Sequence, residues 1–171
     1  MLPPDAIVIE GESFVPENKA WESKDHWNNL YTGYPSGGKM LVGNNATLGT
    51  ASTTFDLATG DTYHLWVRYV DRQNRPEDSD AFTVTVAQNG KTLSAETLNK
   101  TSLRTTAEGQ KEWGKGWGQF VWQCITFTAD KGSVTLTLGK PTAKFGYRVI
   151  DLFIVATDAQ YQADEIGRAH V

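Results

Sequence analysis

Strict two-residue alternation decides what this chain can fold into. In residues 63–69, Tyr63, Leu65, Val67 and Tyr69 fall on one side, and His64, Trp66 and Arg68 on the other. Successive side chains of a strand point to opposite faces, so such a segment buries one face and offers the other. The pattern returns in 82–86, where Phe82, Val84 and Val86 oppose Thr83 and Thr85. It returns again in 133–138, where Val134, Leu136 and Leu138 oppose Ser133, Thr135 and Thr137. One apolar and one polar face is the mark of antiparallel sheet with a core on one side and water on the other. Tight-turn sequences punctuate the strands: Ala58-Thr59-Gly60-Asp61, Gln88-Asn89-Gly90 and Asp130-Lys131-Gly132.

Read this way, strands are predicted at 6–10, 39–42, 50–56, 62–70, 81–88, 91–97, 119–128, 133–139 and 148–157. Residues 11–38 read as irregular. No convincing helix, internal repeat or low-complexity stretch interrupts them. The expectation is all-β: an antiparallel two-sheet β-sandwich of the jelly-roll kind. Its 171 residues fit one domain, with 1–5 as a leader, 6–160 as the sandwich and 161–171 as a linker or appended tail. If each connection reverses the chain, the short turns at 57–61, 88–90 and 129–132 share one end. The longer connections at 43–49, 71–80, 98–118 and 140–147 then share the other. Function concentrates on loops held by a rigid scaffold, so that second end is the candidate site.

Composition excludes several classes. Net charge is -4 with no basic stripe, which argues against nucleic acid. No apolar run approaches the length of a membrane-spanning helix. The start, MLPPDAIVIEGE, lacks the basic and apolar regions of a signal peptide. It reads as the edge of a domain cut from a longer, secreted or cell-surface protein. Cys124 is the single cysteine, so no internal disulfide forms; within an apolar strand it reads as a buried, inert thiol. No nucleophile elbow, HExxH zinc motif or glycine-rich phosphate loop is present. Of three histidines, His170 lies in the tail, His26 in an aromatic loop and His64 in a strand. Asp71, Glu77, Asp78 and Asp80 read as a solvated acidic turn. The chain is therefore read as non-catalytic.

The aromatic residues carry the functional signal. In GQKEWGKGWGQFVWQ, Trp113 and Trp117 stand among glycines and lysines with little local apolar cover. An indole face complements the flat C–H patch of a pyranose ring, and an uncovered indole is costly unless it meets a ligand or partner. The alternative is that these rings anchor the loop against the sandwich edge. Trp66 and Trp122 sit within strands and read as sheet-face packing. Arg72, Arg75, Lys111, Lys115, Lys144 and Arg148 fall on the same rim. Arginine pairs bidentately with carboxylates, which suits an acidic sugar such as a uronic acid; a solvated rim balanced by Glu77, Asp78 and Glu112 is the alternative.

Four segments together resemble a carbohydrate-binding module of the family 6 and family 35 type. These are IEGESF near the start, ATGDTYHLWVRYVD, KGWGQFVWQCITF and FGYRVIDLFIV, in that order. The resemblance runs from about residue 7 to 158. It implies a β-sandwich appended to a glycoside hydrolase or polysaccharide lyase, monomeric, that binds polysaccharide. It also implies a structural calcium ion at Glu10, Glu12 and Asp151, residues that otherwise read as ordinary surface acids. At the loop end it implies a sugar site with Trp117 as stacking ring; Trp113, Arg72 and Lys115 join that site on the reading of the loop and rim residues above. Tyr147 and Arg148 stand where the family often has a polar contact such as Asn. A second site on a sheet face would involve His64, Trp66 and Arg68. The competing readings are a structural or protein-interaction sandwich that spaces other domains, with tryptophans as interface anchors, and a small lyase or hydrolase.

Overall fold

The structure, a computed structural model, describes residues 1–25, 35–71, 79–100 and 119–163. Within them lie β1 (Ile7–Glu10), β2 (Val15–Pro16), β3 (Glu22–Asp25), β4 (Lys39–Val42), β5 (Ala51–Leu57), β6 (Asp61–Asp71), β7 (Phe82–Gln88), β8 (Lys91–Leu98), β9 (Gln119–Ala129), β10 (Gly132–Gly139) and β11 (Val149–Ala156). Every pairing among them is antiparallel. A six-stranded sheet runs β3-β4-β11-β6-β9, with β1 also on β11; a five-stranded sheet runs β2-β5-β10-β7-β8. The predicted strands are all present within a residue or two of their bounds. The predicted irregular stretch 11–38 is corrected: it holds β2 and β3. The ESKD of β3 carries no apolar residue, because it forms the edge of its sheet and gives no alternation to read.

The two inner faces meet in one core. Leu65, Val67 and Tyr69 of β6 pack with Phe82, Val84 and Val86 of β7, Val134, Leu136 and Leu138 of β10, and Phe153 and Val155 of β11. Tyr69 meets Phe82 edge-on, with ring centroids 5.2 Å apart. Each fully buried side chain of this kind contributes roughly 1.5–3 kcal/mol of transfer free energy. The five-stranded sheet turns threonines outward as the alternation requires; Ser52 and Thr137 hydroxyls lie 3.2 Å apart across β5 and β10.

The six-stranded sheet departs from the expectation that its second face meets water. All eight residues of β11 are buried. A bulge between Ile150 and Leu152 shifts the register against β6, so Ile150 and Phe153 both enter the core while Leu152 does not. Met40, Val42, Val70, Phe120 and Val149 make a second buried cluster. Apart from Asp151, VIDLFIVA is apolar throughout, as expected of a strand covered on both sides. Cys124 is a further correction. It pairs with Trp66, opposite the core-facing Ile125, and is exposed. Partial desolvation pushes its thiol pKa up, which keeps the sulfur protonated near neutral pH.

The two ends differ as parity demands. At one end the short turns are tied together: Gln88 Nε2 donates to the Asp130 carbonyl (2.7 Å), and Gln88 Oε1 accepts from Asp130 N (2.9 Å). The described parts of the long connections meet at the other.

Candidate functional site

The loop-end rim is assembled on one buried cation. Arg148 precedes β11 and is 0% exposed. Its Nε donates to the Ala81 carbonyl (2.6 Å), its Nη1 to those of Gly43 (3.2 Å) and Asn45 (3.5 Å), and both Nη atoms to that of Lys144 (3.2 Å each). One guanidinium thus joins three connections: β4–β5, β6–β7 and β10–β11. Its own backbone closes the joint, as Arg148 N donates to Asn44 Oδ1 (2.9 Å) and Gly43 N donates to the Arg148 carbonyl (2.8 Å). The sequence reading made Arg148 a sugar contact. Burial corrects that to a structural peg, because the fork of donors that suits a carboxylate is turned onto backbone oxygens.

Neighbouring residues complete the frame. Asp80 Oδ1 accepts from Tyr147 N (2.6 Å). Asn99, in the left-handed region at φ 59, donates to the carbonyls of Val70 (3.3 Å) and Asp80 (3.1 Å), bringing the β8–β9 connection to the same place. Asn99-Lys100-Thr101 has the form of an N-glycosylation sequon, but the Asn99 amide nitrogen is buried and committed to these two carbonyls. Trp21 is 1% exposed and donates Nε1 to the Gly49 carbonyl (3.1 Å). A Cβ on Gly43 would stand 2.9 Å from the Trp21 ring, so glycine is what lets the indole slide beneath the loop. A Cβ on Gly146 would stand 1.6 Å from the Ser79 carbonyl oxygen. Gly146→Ala is accordingly expected to force the two connections apart and cost about 3 kcal/mol or more in chemical denaturation; wild-type stability for that variant would contradict this packing.

On this frame sits an exposed ring that the sequence reading missed. Phe145 is 54% exposed and meets Tyr147, which is half-buried, edge-on at 6.3 Å between centroids. Leu48, on the facing connection, is 52% exposed, and Lys144 is exposed beside Phe145. The available signal was position: Phe145 immediately precedes Gly146 and lies outside any alternating run. Trp113, Trp117, Lys115 and Arg72 lie outside the described residues.

The expected sheet-face site is narrower than its three residues suggested. Trp66 is half-buried, edge-on to Tyr161 at 6.3 Å. Arg68 is 0% exposed, stacks 4.0 Å from the Phe120 ring centroid and pairs with Asp151. His64 Nδ1 lies 3.5 Å from the Thr126 hydroxyl.

The three acids predicted to hold calcium come near one another but not as equals. Glu10 Oε1 accepts from the Ser36 hydroxyl (2.8 Å), whereas Glu10 Oε2 and Glu12 Oε2 are buried without a hydrogen-bond partner. Asp151 is the residue at the bulge and is 0% exposed. It accepts from Ser36 N (2.7 Å) and from Arg68 Nη1, yet burial outweighs these partners and holds its pKa up to about 6. Burial pushes the Glu10 pKa up, and the negative charges of Glu12 and Asp151 push it further; the Ser36 hydrogen bond opposes them. Among the described residues, no three His, Cys, Asp or Glu side chains form a group that could hold a metal ion. What the geometry offers a cation is two orphaned carboxylate oxygens, each of which costs roughly 1–3 kcal/mol when left unsatisfied. Gly11 lets them approach: its Cβ would lie 2.8 Å from the Ile150 carbonyl.

No protein-family model matches the sequence, and no curated protein matches it. Solved structures do match. A family 35 carbohydrate-binding module from Clostridium thermocellum superposes with a TM-score of 0.60 at 15% identity, over 90% of this chain and 98% of its own. A family 35 module from Cellvibrio japonicus gives 0.55 at 19% identity, over 88% and 92%. An exo-β-1,3-galactanase from Phanerochaete chrysosporium, solved with β-1,3-galactotriose, gives 0.56 at 15% identity and covers 89% of this chain; the chain spans 29% of that enzyme's length. These likenesses establish a shared β-sandwich fold.

Proposed function

We propose that this chain is a non-catalytic carbohydrate-binding module of the family 35 type, gripping polysaccharide at its loop-end rim for an attached glycoside hydrolase or polysaccharide lyase. The observation that carries this reading is Phe145, an exposed ring standing beside Tyr147 on a frame fixed by the buried Arg148. A flat ring on a preordered rim is what a pyranose stacks against, with little ordering cost on binding. Trp117 and Trp113 would add rings from the β8–β9 connection, and Lys115, Arg72 and Lys144 would favour an acidic glycan. Solved modules of the same fold, over nearly their whole length, support the reading.

The placement of the ends suits a tether. Ile7 pairs with Val155, and Asp5 accepts from both the backbone N (3.0 Å) and the hydroxyl (2.7 Å) of Thr157. Both strands therefore pass out of the fold side by side at the end away from the rim. A catalytic domain joined through either strand leaves the rim open toward a polysaccharide outside the cell. One shallow site binds weakly, on the order of µM to mM; tethering raises the local substrate concentration for the joined enzyme. Glu10 and Glu12 would hold a structural calcium ion, which supplies positive charge between two crowded acids.

Affinity electrophoresis on neutral and uronic-acid-containing polysaccharides tests the reading. Retardation without product release is expected. Phe145→Ala should weaken it about tenfold, as loss of one stacking ring predicts, and Trp117→Ala likewise, both at unchanged melting temperature. Retention by no polysaccharide, with capture of a protein partner instead, would favour the spacer reading; release of unsaturated products would favour a lyase.

A further inference from the structure

We propose that β9 is an interface between two copies of this chain, paired antiparallel about a two-fold axis at Cys124, with their rims pointing in opposite directions. The pairing stands on the strands alone; what the paired rims do rests on the rim being the glycan site. Among the described residues, the outermost strands are β3 and β9 in one sheet and β2 and β8 in the other. An outermost strand offers unpaired N–H and C=O groups to any extended chain, and folded proteins blunt such edges with charge, proline, brevity or a bulge. Three of the four are blunted in these ways. β3 reads ESKD, with only Ser23 uncharged. β2 is two residues long and ends on Pro16. β8 carries Lys91 and Glu96, and its register against β7 skips Leu93. β9 has none of these devices. It reads QFVWQCITFTA, eleven residues without a charge or a proline, and it pairs with β6 in unbroken register from end to end. A recess between residues 96–98 of β8 and 123–126 of β9 leaves its middle open. The resemblance to carbohydrate-binding modules implies a monomer, which would leave this long edge bare.

The strand suits a second copy of itself. Cys124 is its middle residue and is exposed. A two-fold axis there sets Trp122 opposite Thr126 of the second copy, Gln123 opposite Ile125, and Val121 opposite Phe127. Every pair joins residues of the same parity, so the two sheets continue with outer face beside outer face. Ile125 and Phe127 are buried on the core side, whereas Cys124 and Thr126 are exposed on the other. No pair opposes like charges, since β9 carries none. The same operation on β3 would set Glu22 against Asp25. Such an isologous contact closes on two copies. Residues directly opposite in an antiparallel pair have Cα atoms roughly 4.5 to 5.5 Å apart, within the span of a disulfide. The two Cys124 sulfurs therefore report the register.

Chain direction decides the consequence. β9 starts at the rim end and finishes at Ala129, beside the short turns. In an antiparallel pair each rim lies level with the other copy's short turns, so the two rims face apart. The pair then bridges two polysaccharide chains instead of gripping one chain twice. One strand pairing is a small contact, so the dissociation constant is expected on the order of 10–100 µM.

Sedimentation velocity on the whole chain, from about 5 to 500 µM, should show the mass rising from one chain to two. Cys124→Lys, which sets two ammonium groups face to face on the axis, should stay at one chain with an unchanged melting temperature; Cys124→Ser should still pair. With oxidised glutathione the two Cys124 thiols should join: together they give up two protons and two electrons, and the oxidant leaves as two glutathione thiols. Moving the thiol, in Cys124→Ser combined with Thr126→Cys, should abolish the link, because those positions stand about 13 Å apart across the axis. The linked dimer should precipitate whichever of β-1,3-galactan, β-1,4-mannan and glucuronoxylan the module retains, and Cys124→Lys should bind that polysaccharide without precipitating it. A single-chain mass for wild type at every concentration would overturn the pairing, and linkage in the moved-thiol variant as efficient as in wild type would overturn its register. Retention by the linked dimer without precipitation would overturn the opposed rims. A dimer that retains no polysaccharide would instead overturn the carbohydrate reading and leave the interface standing.

Discussion

Arg148→Met is expected to cost the domain about 3–5 kcal/mol of unfolding free energy, the range for stranding buried polar groups that shared one charged partner. The side chain is 0% exposed, and its removal leaves the carbonyls of Gly43, Asn45, Ala81 and Lys144 facing an apolar thioether that cannot donate. Individual losses of roughly 1–3 kcal/mol do not add, because the freed connections relax and admit water. For a chain of this length, 1 kcal/mol moves the melting temperature by about 2–4 °C, so a fall of roughly 6–20 °C should appear. The same substitution discriminates between two roles. A sugar contact would lose affinity and keep its stability. A peg loses stability first, and with it the mutual placement of Phe145, Tyr147 and Leu48. Equilibrium denaturation showing less than about 1 kcal/mol of change, alongside lost glycan binding, would return Arg148 to the ligand set.

That contrast shows what the sequence could and could not convey. Alternation marks strands wherever one face is apolar, which is why β5 to β10 are legible from residues 51–139 alone. It fails for β3, an edge strand with nothing to bury, and it misleads at β11, where both faces are covered and a bulge breaks the parity at Asp151. The rim was legible as a place, because counting reversals puts the long connections together. Its chemistry was legible only in part. An arginine between Tyr147 and a strand looks the same in one dimension whether it faces solvent or four carbonyls; only the third dimension separates a contact from a peg. Phe145 was hidden for the complementary reason: a ring beside a glycine resembles ordinary packing until its exposure is known. Lys140, whose Nζ donates to the Asn45 carbonyl, Asn45 Oδ1 and the Thr47 carbonyl, gave no signal, since those oxygens lie far away along the chain.

Millimolar calcium is expected to raise the melting temperature by about 5–10 °C. Saturation at a hundredfold excess over the dissociation constant contributes about 2.7 kcal/mol by mass action, and the shift follows from the size of the chain. The cause lies in Glu10 and Glu12. Each keeps a buried carboxylate oxygen without a partner, and each repels the other and Asp151. A cation between Glu10 and Glu12 would answer both orphaned oxygens at once. Two substitutions separate the ligands from their support. Glu10→Gln should abolish the calcium-induced shift while leaving the metal-free protein as stable as wild type or slightly more so, because a mutual repulsion is removed. Asp151→Asn should instead destabilise the metal-free protein by about 3–5 kcal/mol, because it breaks the buried ion pair with Arg68. Acid should weaken the calcium effect, since burial and the neighbouring charges raise the Glu10 pKa and protons then compete for the same oxygens. Calorimetric melting with added calcium and with chelator reads all three. Identical curves for wild type in the two conditions would mean that hydration or protonation, not a metal ion, satisfies this acidic pair.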